Sequence, residues 1–445
     1  MSRSSSISGF PELLPQQRLV EQRFIAALER VFELNGFSSI NTRAIEPMDQ
    51  LLRKGETSKE VYVLRRLQAD ADGSSDSGLG LHFDLTVPFA RYVLENAGQL
   101  QFPFRRYQIQ PCWRGERPQE GRFREFWQAD IDIVDRDELS PHYEIEVPLV
   151  VAEAFAALPL PPMTMHANNR KLCQGFFKGL GLADPMAAIQ LMDKRDKVGP
   201  DVLADLLRKE LGASEEQARL CLAFAQICTD DSSFAERVRE LGVEDPMLDE
   251  GLAELTAVIE GVRAVEPGLI KADMSIARGL DYYTGTVYET FMSGYERLGS
   301  VCSGGRYDEL AANNKYRFPG VGMSVGLSRI LVPLLDDGVV AASRDVPTCV
   351  LVALPDVDSR PDCEALARKL RARGIATQVA PAAQKYGKQI RFAQRRTIPF
   401  VVFPDAEGGE PQVRDIRNGE QVAFDPQTWQ PPSEDLWPQL EHSGS

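Results

Sequence analysis

The segment REFWQADIDIV, residues 124–134, carries the first chemistry in this sequence. In a β-strand successive side chains point to opposite faces, so Phe126, Gln128, Asp130 and Asp132 share one face. A structural sheet fills a face with aliphatic side chains. A face bearing a ring, an amide and two carboxylates is instead read as the lining of a site. The segment before it, FRRYQIQPCWRGE, reads as a partner strand, joined through the polar turn RPQEGRF. A Gly-rich stretch, SGGRYDEL (303–310), and GVGMSVGLSRILVPLL (320–335) bring further polar side chains beside glycines. Cysteine and histidine point to no metal: seven cysteines (112, 173, 221, 228, 302, 349, 363) form no CxxC pair, and four histidines complete no zinc spacing. Cys221 and Cys228 are read as one buried helix face, and all seven as reduced thiols.

The elements that position these residues follow from periodicity. Residues 16–35 repeat apolar positions at helical spacing, with Leu19, Phe24, Leu28, Val31 and Phe32 on one side and Gly36 as the stop. Extended segments are expected over 37–45 and 60–67, then a turn-rich loop over 70–78. LHFDLTVPFARYVLEN reads as a strand entering a helix after Pro88. A further amphipathic helix covers 141–157. From about 167 to 262 the pattern is helical and irregular, which predicts a helical insertion. Strand signals return over 275–292. After 336–343 strands and helices alternate as βαβαβ, which predicts a small α/β domain with a largely parallel sheet, ending near Phe424. The Pro-rich remainder is expected to be loosely held.

With 445 residues, 43% hydrophobic and 26% charged, the chain can build several cores. The boundaries predicted are 1–166 and 263–336 for a divided core, 167–262 for the insertion and 345–430 for the α/β domain. No apolar run suffices to span a bilayer, and the Ser-rich start lacks the apolar stretch of a signal peptide, so a cytoplasmic protein is expected. The net charge of −15 taken alone argues against a nucleic-acid partner. Its distribution reopens the question. Residues 364–400 hold nine basic side chains (Arg368, Lys369, Arg371, Arg373, Lys385, Lys388, Arg391, Arg395, Arg396) against one acid, Glu364. Such a run is either a solvated helix face or a nucleic-acid surface.

Five segments together resemble one family. RGLDYYTGTVYE (278–289) and SGGRYD (303–308) resemble the two signature peptides of histidyl-tRNA synthetases. WRGERPQEGRFREFWQADIDI (113–133) is similar to the second motif of class II aminoacyl-tRNA synthetases, GVGMSVGLSRI (320–330) to the third, and FDLTVPFARY (83–92) to the amino-acid-binding segment. The resemblance runs in order from about Gly9 to about Phe424. It implies an α+β fold: a class II core of mostly antiparallel sheet flanked by helices, a helical insertion, and a C-terminal α/β anticodon-binding domain. It also implies a homodimer. There are departures. Arg43 stands where the first class II motif carries proline, with Pro47 four residues later. The third motif reads Gly326-Leu327-Ser328-Arg329 in place of Gly-x-Glu-Arg. DLT (84–86) follows the eukaryotic pattern, whereas RPQEG follows the bacterial one.

The resemblance implies ATP-dependent activation of L-histidine and its transfer to tRNA(His). Two anions must meet in the first step, so fixed positive charge is needed at the α-phosphate. The resemblance puts Arg114 and Arg278 there, and arginine suits the task because its planar fork binds oxyanions in two places and stays charged. Phe126 would stack on adenine with Arg329 covering the other side, a sandwich worth about 1–2 kcal/mol. Glu116 would accept from the adenine amino group or orient the motif, and Arg122 would sit near the γ-phosphate, with Mg2+ on the pyrophosphate. Asp132 and Tyr283, with Tyr282 adjacent, would hold the imidazole; Asp84, Thr86 and Gln128 the α-amino group; and Tyr307 would close the pocket, with Gly304 and Gly305 permitting close backbone approach. Arg117 and Gln119 would touch the tRNA acceptor end, and the basic 364–400 region the anticodon stem.

Two other readings remain. A histidine-binding regulatory paralogue of ATP phosphoribosyltransferase usually lacks the C-terminal domain and the ATP-site arginines. A non-catalytic nucleic-acid-binding module would have no need of Arg114, Arg278 and Arg329.

Overall fold

The computed structural model describes residues 7–52, 60–65, 78–277, 282–404 and 409–442. It divides into two compact units, Met1–Pro11 with Ala27–Pro333, and Glu12–Ala26 with Leu334–Ser445. The loop expected over 70–78 falls, but for Gly78, outside the described residues.

In chain order the strands of the first unit are β1 (Ser38–Ser39), β2 (Ile45–Pro47), β3 (Leu79–Leu81), β4 (Phe104–Trp113), β5 (Glu125–Val134), β6 (Met163–Asn169), β7 (Cys228–Thr229), β8 (Ile270–Asp273), β9 (Thr286–Met292), β10 (Cys302–Tyr307) and β11 (Gly320–Val325). Nine of them form one sheet in the order β1-β4-β5-β11-β10-β9-β6-β8-β7, and β2 pairs with β3 apart from it. The pairings are antiparallel except β1 with β4 and β6 with β8. This is the mostly antiparallel sheet that was expected.

The hairpin of β4 and β5 is the centre of the unit. Its register pairs Phe104 with Val134 and Trp113 with Glu125. One face of β5 buries Ala129, Ile131 and Ile133 completely, each isoleucine contributing about 1.5–3 kcal/mol by leaving water. The other face is left for the polar set. The helix Thr86–Asn96 begins before Pro88, whereas the expected start lies after it. Pro88 is tolerated within its first turn, where the backbone needs no N–H donor.

The stretch between β6 and β8 is mostly helical, as expected, with β7 set into it, and four of its helices start on explicit caps. Asn169, Asp184, Ser214 and Asp245 each accept from backbone N–H groups of the helix that follows, and Ser214 forms a capping box with Gln217. The helices Arg170–Gly179 and Pro246–Val265 meet through glycine. A Cβ added at Gly175 would overlap the backbone of Leu248, and one at Gly251 that of Leu172.

The second unit contains β12 (Val340–Ala342), β13 (Val350–Val352), β14 (Thr377–Val379), β15 (Phe400–Phe403), β16 (Gln412–Asp415), β17 (Gln421–Ala423) and β18 (Leu440–His442). Five of these make a sheet in the order β14-β13-β15-β16-β17. Helices Arg360–Ala372 and Tyr386–Gln394 cross over between the parallel strands β13, β14 and β15. The expectation of a largely parallel sheet needs correcting. β16 and β17 add antiparallel, because their short connections cannot make the crossover that parallel pairing demands. The tail also differs from its expected looseness. Trp429 packs its ring 5.3 Å from Phe400 and 5.5 Å from Phe424, Arg417 holds Asp435 through two nitrogens, and β18 pairs with β12.

Candidate active site

Arg114 follows β4 directly, and its backbone N–H donates to the carbonyl of Arg124 at the start of the returning strand. Its Nε donates to the Phe83 carbonyl at 2.9 Å, which fixes the guanidinium. That group lies 5.0 Å from the centre of the Phe126 ring and 3.8 Å from Glu116. Glu116 in turn lies 3.2 Å from Arg122. Gly121 makes the turn between the strands with φ +67°, and a Cβ there would strike Leu298 at 2.8 Å. Arg329, in the first turn of the helix Leu327–Asp336, donates to the Leu298 carbonyl. Arg114, Glu116, Arg122, Phe126 and Arg329 line one cavity of about 200 Å3. The five residues expected at the nucleotide are thus brought together.

A second cavity of about 80 Å3 shares Arg114, Gln128, Ser303 and Ser324 with the first. Asp84, Thr86, Asp130, Asp132, Tyr282, Tyr283 and Tyr307 complete its polar wall. Every residue expected at the amino acid lines it except Arg278, which lies outside the described residues. Asp84 has a structural duty as well: its Oδ1 accepts from the Val87 N–H at 3.1 Å, in the first turn of the helix Thr86–Asn96. Asp132 is held on both oxygens. Tyr307 donates to Oδ1 at 2.6 Å, and the buried guanidinium of Arg106 lies 2.6 Å from Oδ2. Gln128 donates to the Ser324 hydroxyl at 2.5 Å.

Glycines make room for this wall. A Cβ at Gly322 would overlap the Asp132 carboxylate, one at Gly320 would lie 2.6 Å from the Tyr307 ring, and one at Gly305 would lie 2.9 Å from Tyr283. No larger residue fits at these three points without moving a cavity-lining side chain.

Burial dominates the electrostatics. It pushes Asp130 up to about 7, with Asp132 and Asp84 adding to the rise and Arg106 and a Ser324 hydrogen bond opposing it. Burial likewise raises the hydroxyls of Tyr282 and Tyr307 and the thiols of Cys112 and Cys302.

Arg117 and Gln119 are exposed on the turn and line neither cavity. The sequence reading omitted Arg106, Ser303 and Ser324 and gave Asp130 no role. The signal for Arg106 was available: an antiparallel hairpin sets Arg106 opposite Asp132 and Gln108 opposite Asp130, so β4 alternation supplies the counter-charge. Outside these cavities, His166, Cys228 and Asp273 bring possible ligand atoms within 4.8 Å of one another. His166 Nδ1 and Asp273 Oδ2 already pair there at 2.7 Å.

Comparison with known proteins bears on this geometry. The family pattern described as Histidyl-tRNA synthetase matches residues 9–330, and the one described as Anticodon binding domain matches residues 348–428. A protein of Cutibacterium acnes named Histidine--tRNA ligase is 55% identical, over 98% of this chain and 99% of its own. The solved histidyl-tRNA synthetase from Nostoc sp. PCC 7120 is 34% identical with a TM-score of 0.84, over 95% of this chain and 97% of that one. A Bacillus halodurans structure described as an ATP phosphoribosyltransferase regulatory subunit/histidyl-tRNA synthetase, 18% identical with a TM-score of 0.73 over 90% of this chain and 98% of that one, shares the fold. The fold is therefore α+β, a class II core followed by an anticodon-binding domain, and the chain belongs to the histidyl-tRNA synthetase family.

Proposed function

We propose that the chain is a histidine–tRNA ligase: it joins L-histidine to the α-phosphate of ATP, releasing pyrophosphate, and transfers the histidyl group to a terminal ribose hydroxyl of tRNA(His), releasing AMP. The observation that carries this reading is the position of Arg114. It lines both cavities, so one fixed guanidinium reaches the junction where a nucleotide phosphate and an amino-acid carboxylate would meet.

In this reading Arg114 and Arg278 neutralise the two approaching anions and hold the charge that builds on the phosphorus oxygens. Their contribution is positioning and electrostatics, which suffice to move the adenylyl group from a pyrophosphate oxygen to the carboxylate oxygen of the amino acid. Phe126 and Arg329 take the adenine, Arg122 the outer phosphates, and Glu116 the adenine amino group. Asp84, Thr86 and Gln128 receive the α-amino group. Asp132 and Tyr283, with Tyr282 adjacent, receive the imidazole, whose two nitrogens demand buried polar partners, and Tyr307 closes the pocket. An apolar amino acid would leave those partners unpaired, a rejection reaching 10⁴–10⁵-fold in sites of this kind.

Mg2+ enters as part of the substrate, MgATP. Glu116 is the sole carboxylate on the described lining of the larger cavity, which suits an ion held mainly by phosphate oxygens and water. Arg117 and Gln119, exposed on the turn, would meet the acceptor end of the tRNA. In this reading the divided catalytic core takes 1–166 and 263–336, the insertion 167–262 and the anticodon-binding domain 345–430; the enzyme would work as a homodimer, as the family resemblance implies, in the cytoplasm.

The regulatory-paralogue reading is disfavoured by the anticodon-binding match over residues 348–428 and by Arg114 and Arg329 in one cavity. The deciding assay is ATP–pyrophosphate exchange with each amino acid, followed by charging of tRNA(His) transcripts with and without the extra 5′ guanosine. Exchange with histidine alone is expected. No exchange with any amino acid overturns the proposal.

A further inference from the structure

Asp130 is the unexplained group of the smaller cavity. It stands between Gln128 and Asp132 on the polar face of β5, opposite Gln108 of β4 and Ser324 of β11. The residue is 1% exposed and lines the cavity, yet its Oδ1 has no hydrogen-bond partner in the protein. Its other oxygen lies 3.9 Å from the Arg106 guanidinium, which is drawn closer to Asp132, at 2.6 Å. The nearest buried cation is therefore committed elsewhere. A buried carboxyl oxygen without a partner is costly when charged and is kept only if something else satisfies it.

The charges around it are one-sided. Asp84 precedes the helix Thr86–Asn96, Asp132 follows on β5, and Arg106 on β4 is the fully buried cation. Cys112 of β4, Cys302 of β10 and Tyr282 also face it, and burial holds their protons on. Among the described residues, Arg114 is the remaining charged group on the cavity wall. Three carboxylates thus surround a space that a guest with an ammonium group and ring N–H donors would fill.

Resting on the reading of this cavity as the amino-acid site, we propose that Asp130 is a recognition carboxylate that sheds a proton when the amino acid binds. The O–H bond of the neutral carboxyl breaks, the proton passes to solvent, and the freed oxygen accepts a hydrogen bond from a cationic or N–H-bearing nitrogen of the guest. The chemistry recognised is an α-amino acid with a second hydrogen-bond-donating nitrogen. With Asp130 at about 7 in the empty site, half the molecules carry the proton at neutral pH, and affinity for the guest rises about tenfold from pH 6 to pH 8.

Isothermal titration of the full chain with L-histidine tests this, run at pH 6, 7 and 8 in phosphate and in Tris buffer, whose ionisation enthalpies differ. Wild type is expected to release about half a proton per histidine at pH 7 beyond what the guest's own ring loses. Asp130→Asn and Asp130→Ser should abolish that excess and weaken binding at pH 8 by tenfold or more. Release in both variants equal to wild type, with affinity within twofold, overturns the proposal. If neither variant folds, wild type decides alone: excess release that does not fall between pH 6 and pH 8 overturns it. Wild type that binds no histidine would instead defeat the reading of the cavity.

Discussion

The guanidinium of Arg106 lies 2.6 Å from the Asp132 carboxylate, and both side chains are buried beneath the proposed imidazole site. The contact joins β4 to β5 across directly opposed positions. It orders the carboxylate from behind, while the Tyr307 hydroxyl orders it from the side. Arg106 also stacks on Phe89, 4.3 Å from the ring centre. A carboxylate so fixed has no rotamer freedom to lose when a guest arrives, which is the condition for a preorganised recognition group.

Removing one partner of a buried ion pair leaves the other charge uncompensated, at about 3–5 kcal/mol. Arg106→Met should therefore lower stability by that order and raise the KM for histidine in the exchange assay, with the KM for ATP nearly unchanged. Arg106→Lys should recover part of both. Equal loss of histidine and ATP binding would mean that Arg106 merely supports the fold.

Arg114 makes a different prediction, because it touches the junction of the cavities. Arg114→Ala should reduce the exchange rate by roughly 10²–10³-fold, the scale of one lost electrostatic stabiliser. The melting temperature should hardly move, since the side chain is partly exposed and its protein contacts are the Phe83 carbonyl, the Phe126 ring and a long 3.8 Å approach to the half-buried Glu116. Arg278→Ala should behave alike. A rate within threefold of wild type would remove Arg114 from the activation step.

How far the sequence could be read depended on whether a residue's partner lay nearby in the chain. The β4–β5 hairpin was legible because alternation is a local property, and with it the face holding Phe126, Gln128 and Asp132. Arg106 stayed hidden although it lies on the same hairpin, because its importance arises only from register. Ser324 stayed hidden because β11 reaches β5 from almost two hundred residues away. The tail after Phe424 was misread for a related reason. Proline and polar residues dominate its composition, but Trp429 finds Phe400 and Asp435 finds Arg417, contacts that composition cannot register.

Gly322 tests the space around Asp132. An alanine methyl there would overlap the carboxylate, which is pinned by Arg106 and Tyr307 and cannot swing away at low cost. Gly322→Ala should raise the KM for histidine at least tenfold, about 1.4 kcal/mol or more. Gly338→Ala, at a glycine with φ +67° and open space around it, should cost only backbone strain of about 1–2 kcal/mol and leave the KM alone. Similar KM values in the two variants would show that Gly322 does not protect the carboxylate.

Asp130 makes stability depend on pH with a definite sign. Its folded-state value of about 7 lies above the ordinary carboxylate value, so the folded state binds its proton more tightly than the unfolded chain. The resulting stabilisation is present below about pH 4 and is lost as pH rises to 7. The rise from the ordinary carboxylate value to about 7 bounds the effect at about 4 kcal/mol. Asp130→Asn should therefore gain melting temperature relative to wild type at pH 8 and show no such gain at pH 4. A difference between the two proteins that is constant across that range would mean Asp130 is ionised in the folded state throughout.

The basic run of the second unit separates residues that can reach a phosphate from those already engaged. Arg373 donates to the Pro426 carbonyl and to Gln430, and Arg371 donates to the Thr377 carbonyl and lies 3.6 Å from Glu364. Lys385 and Lys388, at the start of the helix Tyr386–Gln394, are exposed. If this face meets the tRNA, each lysine that neutralises a phosphate releases a condensed counterion and adds about 0.9 to the slope of log K against log salt. Lys385→Ala with Lys388→Ala should therefore flatten that slope by about 2 in filter binding of tRNA(His) and leave histidine-dependent exchange intact, because no tRNA takes part in that step. Arg373→Ala should flatten it less, its guanidinium being tied to the tail. A slope identical in wild type and the double variant would return these lysines to the solvated helix face that charge counting alone allowed.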